Sequence, residues 1–462
     1  MKKITLGILV LSLTVGLALS FSTTSFSQDE KIKLKAIGGL SSPYKRITFL
    51  GPDEPEKARE HVSESHYNHF PLISYNQANP DKQVDLDIYI PPFSDLMKEE
   101  MLALTGGDPY DVMVMDHMWL GKFAESGYLE DKYSDVYEKW ADDFGMYEGY
   151  RNGSSYEGTF YGLWRSTDSR ALWVWKDVLH AAGYTMEDIK SAEGLLEALP
   201  EINKVAKKEF GMEGAMEFNF SGKSALGYWY GWLYQLGGKI LKKNEDGEWR
   251  AGFDNEGAYK AANYLKKLDE AGATLKRTWQ YNLTNFLDRR YAMTFEGGWN
   301  VSDLNTHWPD KTPEEIQVKV GMVPQPTFKG KEMRTLTGGF IMVIPKAGNN
   351  KDLMNHIMMD HLFRNEKNYA HMLLDQGKFP TSEKIFENEI YQEGMLEKMP
   401  DEWYSKFKKA IAGGILRPYV PEYSSIAQEI WIALQKVVSG KATAEKAFSA
   451  AANKVNNMMK ED

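Results

Sequence analysis

Apolar and acidic residues alternate through 84–90 (VDLDIYI), the period-two signature of a strand with one buried face, and Pro91-Pro92 ends it. Ser94 is placed to cap a helix in which Leu96, Met97, Met101 and Leu104 recur on one face. Gly106-Gly107 stops that helix. Residues 112–115 are wholly apolar, as expected of a strand covered on both sides. Trp119, Phe123 and Ala124 then follow at helical spacing up to Gly127. Strand–helix–strand–helix over 84–129 predicts a parallel sheet.

The same alternation recurs along the chain. Short strands are predicted at 33–37 and 46–50, before Gly51-Pro52-Asp53 breaks the chain and Pro55 opens a helix. A strand at 171–174 leads into a helix that Gly183 closes, and a longer helix begins after Ser191 with a kink expected at Pro200. A helix at 256–272 places Ala258, Ala262, Leu265 and Leu268 on one face. Strands follow at 291–295, 318–323 and 340–344, and helices dominate from 351 onward. Residues 243–250 (KNEDGEWR) read as a hairpin turn.

Residues 1–27 set the compartment. Lys2 and Lys3 precede an uncharged run over 4–19, and Ser25-Phe26-Ser27 offers a cleavage site before Gln28. The run is short for a membrane span, so a cleaved signal peptide and a periplasmic mature protein are expected. The chain has no Cys, which removes a lipid-modified cysteine, disulfides and thiolate metal sites together. About 435 mature residues exceed one hydrophobic core. Without a visible linker or repeat, two α/β units with the chain passing between them more than once are predicted.

Removing Lys2 and Lys3 from 55 basic residues, against 65 acidic ones, takes the formal charge from −10 to −12. An acidic surface without basic clusters argues against nucleic acid. The 13 Trp and 25 Tyr weigh more, because several fall just after predicted strands and beside Gly, where clefts form in α/β sheets.

Several segments, in order, resemble family 1 extracellular solute-binding proteins of ABC importers, whose best-known members bind maltodextrins. They are GGDPYDVMVMDHMWLGKFAESGYLE (106–130), YGLWRSTDSRALWVWKDVLHAAG (161–183), RRYAMTFEGGWNVSDL (289–304), GMVPQPTF with TGGFIMVIPKAGNNKD (321–352), GKFPTSEKIFE (377–387) and RPYVPEYSSIAQEIW with SGKATAEKAF (417–448). Trp175 departs from the family's usual Asn before Lys-Asp, and 38–83 match poorly, which puts the first cleft loop in doubt. The resemblance implies an α/β, two-lobed type II periplasmic-binding fold with three interlobe crossings. The N-terminal lobe would comprise 29–165 and 338–388, the C-terminal lobe 166–337 and 389–462. It implies a monomeric receptor, without enzymatic activity or cofactor, that captures a sugar, an oligosaccharide by preference. Hinge closure would then present the sugar to the importer's membrane subunits.

A sugar offers hydroxyls and apolar C–H faces, so its site needs aromatic platforms and fixed hydrogen-bonding groups. Trp299, reached from the 291–295 strand through Gly297-Gly298, matches the family's cleft tryptophan; the plain alternative is a core ring. Asp116, His117 and Trp119 lie just beyond the 112–115 strand, where Asp116 could equally cap the next helix. Asp168 and Arg170 fall in the first crossing, as ligand groups or a mutual ion pair. Tyr228, Trp229 and Trp232 form a dense group (GYWYGW) of which one or two would line a wall and the rest belong to the core. Tyr423 and Glu296 complete the set, with Asp53 and Glu54 as stand-ins for the unmatched first loop or as a solvated helix start.

Three rivals remain. A glycoside hydrolase needs two carboxyls at a set separation across the scissile bond. A metal carrier is suggested by His61, His66 and His69, without Cys or an HExxH helix; His356 and His361, five apart, are not expected to share a helix face. The same fold could hold a cationic ligand such as a polyamine on acidic groups and rings. Gly222-Lys223-Ser224 mimics the end of a phosphate loop, but Glu217 replaces its first glycine.

Overall fold

The computed structural model describes residues 31–38, 45–49, 69–107, 110–276 and 282–460. The expected signal peptide, the break at Gly51-Pro52-Asp53, the Pro55 helix, and Asp53, Glu54, His61 and His66 lie outside them.

The expected α/β class is observed. Among the described residues ten strands join one long sheet: β1 (Ile32–Gly38), β2 (Lys45–Phe49), β3 (Val84–Ile90), β4 (Val112–Asp116), β5 (Gly162–Trp175), β6 (Gly214–Asn219), β7 (Ala273–Lys276), β8 (Tyr291–Gly297), β9 (Val320–Pro324) and β10 (Thr337–Val343). Their order is β7-β6-β8-β5-β10-β4-β1-β3-β2, with β9 also on β5. β1 runs parallel to β3 and β4, and β6 parallel to β7 and β8, as strand–helix alternation requires. In β3 the buried residues are Val84, Leu86, Ile88 and Ile90, so the period-two pattern reports its burial directly.

β5 holds the two halves together. At about 3.3 Å per residue its 14 residues span roughly 45 Å, enough to serve both. Gly162 to Ser169 pair with β10, while Arg170 to Trp175 pair with β8 and β9. The sequence predicts only 171–174 as strand, because Ser166-Thr167-Asp168-Ser169-Arg170 breaks the apolar run. The backbone here is nevertheless paired: Thr167 exchanges hydrogen bonds with Phe379 (2.8 and 3.2 Å) as well as with β10. Stretches 166–170, 335–339 and 377–381 thus run side by side between the halves. Ile415 adds a further rung, donating to Thr335 and accepting from Thr337.

Other elements follow the reading with local corrections. Helix Phe93–Thr105 starts directly after Pro92 without a side-chain cap, so Ser94 sits inside its first turn. Helix Ala192–Glu209 is capped by Ser191, which accepts from the Gly194 N–H at 3.0 Å, and runs on through Pro200. Val318 is not in a strand: it is 76 % exposed within helix Pro313–Lys319, which Thr312 and Glu315 open with a capping box. The hairpin at 243–250 is present, joining Leu241–Lys243 to Trp249–Ala251. A π-helical turn, Met359–Phe363, follows helix Lys351–Met358. His356 and His361 therefore come within 5.4 Å, contrary to the expectation for residues five apart, because i to i+5 geometry aligns them. No group of three metal-ligating side chains forms among the described residues.

Candidate functional site

The ends of β4 and β8 meet the middle of β5 where the chain passes between halves. Asp116 on β4 pairs with Phe340 of β10, Gly338 with Asp168, and Gly297 at the end of β8 with Arg170. Backbone pairing thus gathers Asp116, Asp168, Arg170 and Glu296.

Asp116 caps the turn that follows and faces a buried cation. Its Oδ1 accepts from the Met118 N–H (3.1 Å) and lies 3.1 Å from His117 Nδ1, while Oδ2 faces Arg417 Nη2 at 3.6 Å. Burial alone would raise its pKa, but Arg417, His117 and the Met118 N–H hold it below the ordinary value. His117 is fully buried against the Trp164 ring at 4.9 Å, so it orients Asp116 from within. Behind them Glu100 is buried with neither carboxyl oxygen hydrogen-bonded; burial and then Asp116 push its pKa well up.

Trp119 is half-buried and stacks on Phe93 with centroids 5.9 Å apart and planes 17° from parallel. Phe340 meets Phe93 edge-on at 6.1 Å. Phe93 is 44 % exposed, so this group presents an open aromatic face beside Asp116.

Trp299 is held differently. Its ring fills the space a Cβ on Gly297 would occupy, at 2.1 Å, and Phe379 likewise fills the space beside Gly298, at 2.3 Å. The two glycines therefore admit protein rings. The Arg170 guanidinium lies 4.4 Å from the Trp299 ring centroid and the Lys378 ammonium 4.8 Å. Asp168 stands between these cations, 3.5 Å from Arg170 Nη1 and 3.9 Å from Lys378 Nζ. The ion-pair alternative for Asp168 and Arg170 is thus present in the geometry, with Lys378 as a third member.

Glu296 is buried at the end of β8, and burial pushes its pKa up to about 7, Arg170 opposing and Asp303 adding to the rise. Tyr228 is buried next to it, 6.0 Å from the Arg170 guanidinium and edge-on to Phe218 at 5.3 Å. Trp229 and Trp232 belong to the core instead. Both are 0 % exposed. Trp229 stacks on Phe448 at 5.4 Å, and Trp232 Nε1 donates to the Pro326 carbonyl at 3.0 Å. Rings buried completely inside one half have no face left for a ligand. Tyr423 is buried with its hydroxyl 3.3 Å from that of Tyr230.

Four participants escaped the sequence reading: Phe93, Lys378, Arg417 and Phe379. Lys378, Phe379 and Arg417 fall inside segments whose resemblance was noted, so position in a crossing was their available signal. Phe93 follows Pro91-Pro92 and carried no signal beyond that.

The sequence model of the family described as bacterial extracellular solute-binding protein matches residues 51–355. The chain belongs to that family. Among solved structures this solute-binding protein is similar to the GacH receptor of Streptomyces glaucescens, reported unliganded and with acarbose: 18 % identity over 93 % of this chain and 99 % of the other, TM-score 0.72. It is similar to an ABC transporter solute-binding protein from Thermotoga lettingae bound with α-D-tagatose, at 19 % identity over 93 % and 100 %, TM-score 0.70. A third is an ABC substrate-binding protein from Listeria monocytogenes in complex with cycloalternan, at 19 % identity over 93 % and 99 %, TM-score 0.69. The two-lobed periplasmic-binding architecture expected from sequence is thereby established.

Proposed function

We propose that this protein captures a sugar, an oligosaccharide by preference, between its lobes and delivers it to an ABC importer by hinge closure. The open Phe93–Trp119 stack beside Asp116 carries this reading: a flat apolar face next to a fixed carboxylate matches a pyranose ring and its hydroxyls. The structural relatives named above, with acarbose, tagatose and cycloalternan, support the same ligand class. We take the lobes as 29–165 with 338–388 and 166–337 with 389–462; the change of partners along β5 between Ser169 and Arg170 supports a first boundary in that neighbourhood. Closure across those crossings would be favoured only by contacts the ligand gains in the closed form.

The protein acts as a periplasmic monomer released from a signal peptide. Among the described residues no helix is long and apolar enough to cross a membrane. It binds without cleaving. Glu296, whose pKa burial raises to about 7, is the one acid-like carboxyl of the three candidates, but Asp116 is engaged by the Met118 N–H and Arg417 and Asp168 faces two cations, so neither is free to complete the pair that cleavage needs. The same cations disfavour a polyamine.

A thermal-shift screen of the mature chain against a glycan panel tests the reading, because a ligand of the native state raises Tm. Trp119→Ala should weaken the best ligand about 10–100-fold, the loss expected of an aromatic anchor. Absence of any saccharide-induced shift would refute sugar capture, and cut products in the incubation would refute binding without cleavage.

A further inference from the structure

The cluster around Trp299 is under-bonded in a specific way. Two cations share one aromatic ring and one carboxylate, and no hydrogen bond joins them to it. Arg170 Nη1 and Lys378 Nζ approach Asp168 only to 3.5 and 3.9 Å. Arg170 Nε and Nη1 are buried without a hydrogen-bond acceptor, and so is Nε of Arg417, which faces Asp116 from the other side. Buried charged donors left in this state are costly unless something supplies acceptors. Arg165 adds a further cation acting on Lys378. On the acidic side Asp303 and Glu296 act on the cluster, but burial weakens Glu296 as an anion. Burial, with Arg170 and Arg165 adding to it against Asp168, also holds the Lys378 pKa below the ordinary lysine value.

Neutral hydroxyls would satisfy these donors only in part. A carboxylate offers two oxygens in a plane that matches the guanidinium fork, and it brings the charge that the pair lacks. Asp168 already shows that one carboxylate can face both cations at once. The flat Trp299 ring holds the guanidinium and the ammonium at one place, 4.4 and 4.8 Å from its centroid.

Building on the sugar-binding reading, we infer that the saccharide carries a carboxylate, as in a uronic acid unit, received by Arg170 and Lys378 over Trp299. Phe93 and Trp119 then bear a pyranose face while the cations fix the acid group. The ligand class is an acidic oligosaccharide, and neutral chains are weaker ligands.

The test is a matched set titrated calorimetrically into the full mature protein. It comprises di- to tetrasaccharides built from glucuronate, galacturonate or mannuronate, each beside its carboxyl-reduced neutral counterpart. At least one acidic chain should bind about 10–100-fold more tightly than its reduced partner, the range for charged hydrogen bonds gained or lost. That preference should shrink as salt rises. Lys378→Met should weaken the acidic chain by a similar factor and flatten its salt dependence; if that variant does not fold, the reduced partners decide alone. Equal or tighter binding of neutral chains would overturn the carboxylate assignment while leaving sugar capture standing. Absence of binding by every chain of this set and by the glycan panel would instead remove the sugar reading itself.

Discussion

Two tryptophans next to the crossing do opposite things. Trp119 stacks on an exposed Phe93 and presents an apolar face, whereas Trp299 is pressed on Gly297 and lies under two cations. Both follow a strand end, and both were read from sequence as platforms. The difference lies in what the crossings bring against them. Trp119 stacks on Phe93, while Trp299 receives Arg170 from β5 and Lys378 from the 377–381 stretch. A ring's surroundings are therefore set by its neighbours across the fold: one stacks on an exposed ring, the other lies under two cations.

The contrast is tested hardest at Trp299. Trp299→Ala should remove the support of both cations and lower saccharide affinity on the order of 100-fold, as loss of a central anchor does. Melting of the unliganded protein should move by only a few degrees, because the ring is half-buried at a helix start and not in the core. Trp229→Ala provides the counterweight. Its ring is 0 % exposed on Phe448, so it should cost about 3–5 kcal/mol of stability. Denaturant melts paired with calorimetry separate the two. A large stability loss for Trp299→Ala with unchanged affinity would reverse their assigned roles.

Glu296 gives a second, smaller handle on the charged side. Its pKa, raised by burial to about 7 from the usual 4.5, means that the folded state holds a proton the unfolded chain has released between those values. The folded state therefore binds more protons in that window, and stability from this group is full below about pH 4.5 and declines as pH rises through 7. Glu296→Gln should flatten the decline and stabilise the protein at pH 8 by up to about 3 kcal/mol, at 1.36 kcal/mol per unit. Denaturant titrations at pH 5 and pH 8 read this directly. Identical slopes for variant and parent would show that Arg170 compensates Glu296 fully.

How much of this was legible in sequence follows from what each feature depends on. The β3 strand and the helix that begins after Ser191 rest on local pattern, and both were found as written. The α/β class and the two lobes followed from alternation, chain length and ordered resemblance. β5 was cut short, because its polar centre is stabilised by pairing with β10 and Phe379, residues about 170 and 210 positions away. Trp229 and Trp232 share a spacing with Tyr228, and only packing against Phe448 and Pro326 tells core from wall. Lys378 and Arg417 became visible only when the crossings aligned. Non-local pairing decides the site, and a pattern read within ten residues does not contain it.

The smallest effect should come from Phe93, and it bears most directly on the open half of the comparison. Its ring is 44 % exposed and meets the rings of Trp119 and Phe340, so Phe93→Ala should cost less than about 1 kcal/mol of folding stability. Affinity should still fall about 3–10-fold, because Trp119 would lose the partner that fixes its plane. Phe93→Leu should restore stability but not affinity, since it replaces apolar area without a flat face. Calorimetry on the three proteins with one saccharide distinguishes these contributions. Leucine restoring full affinity would mean that the face acts as plain apolar cover, and the stacking geometry at Trp119 would lose its role in recognition.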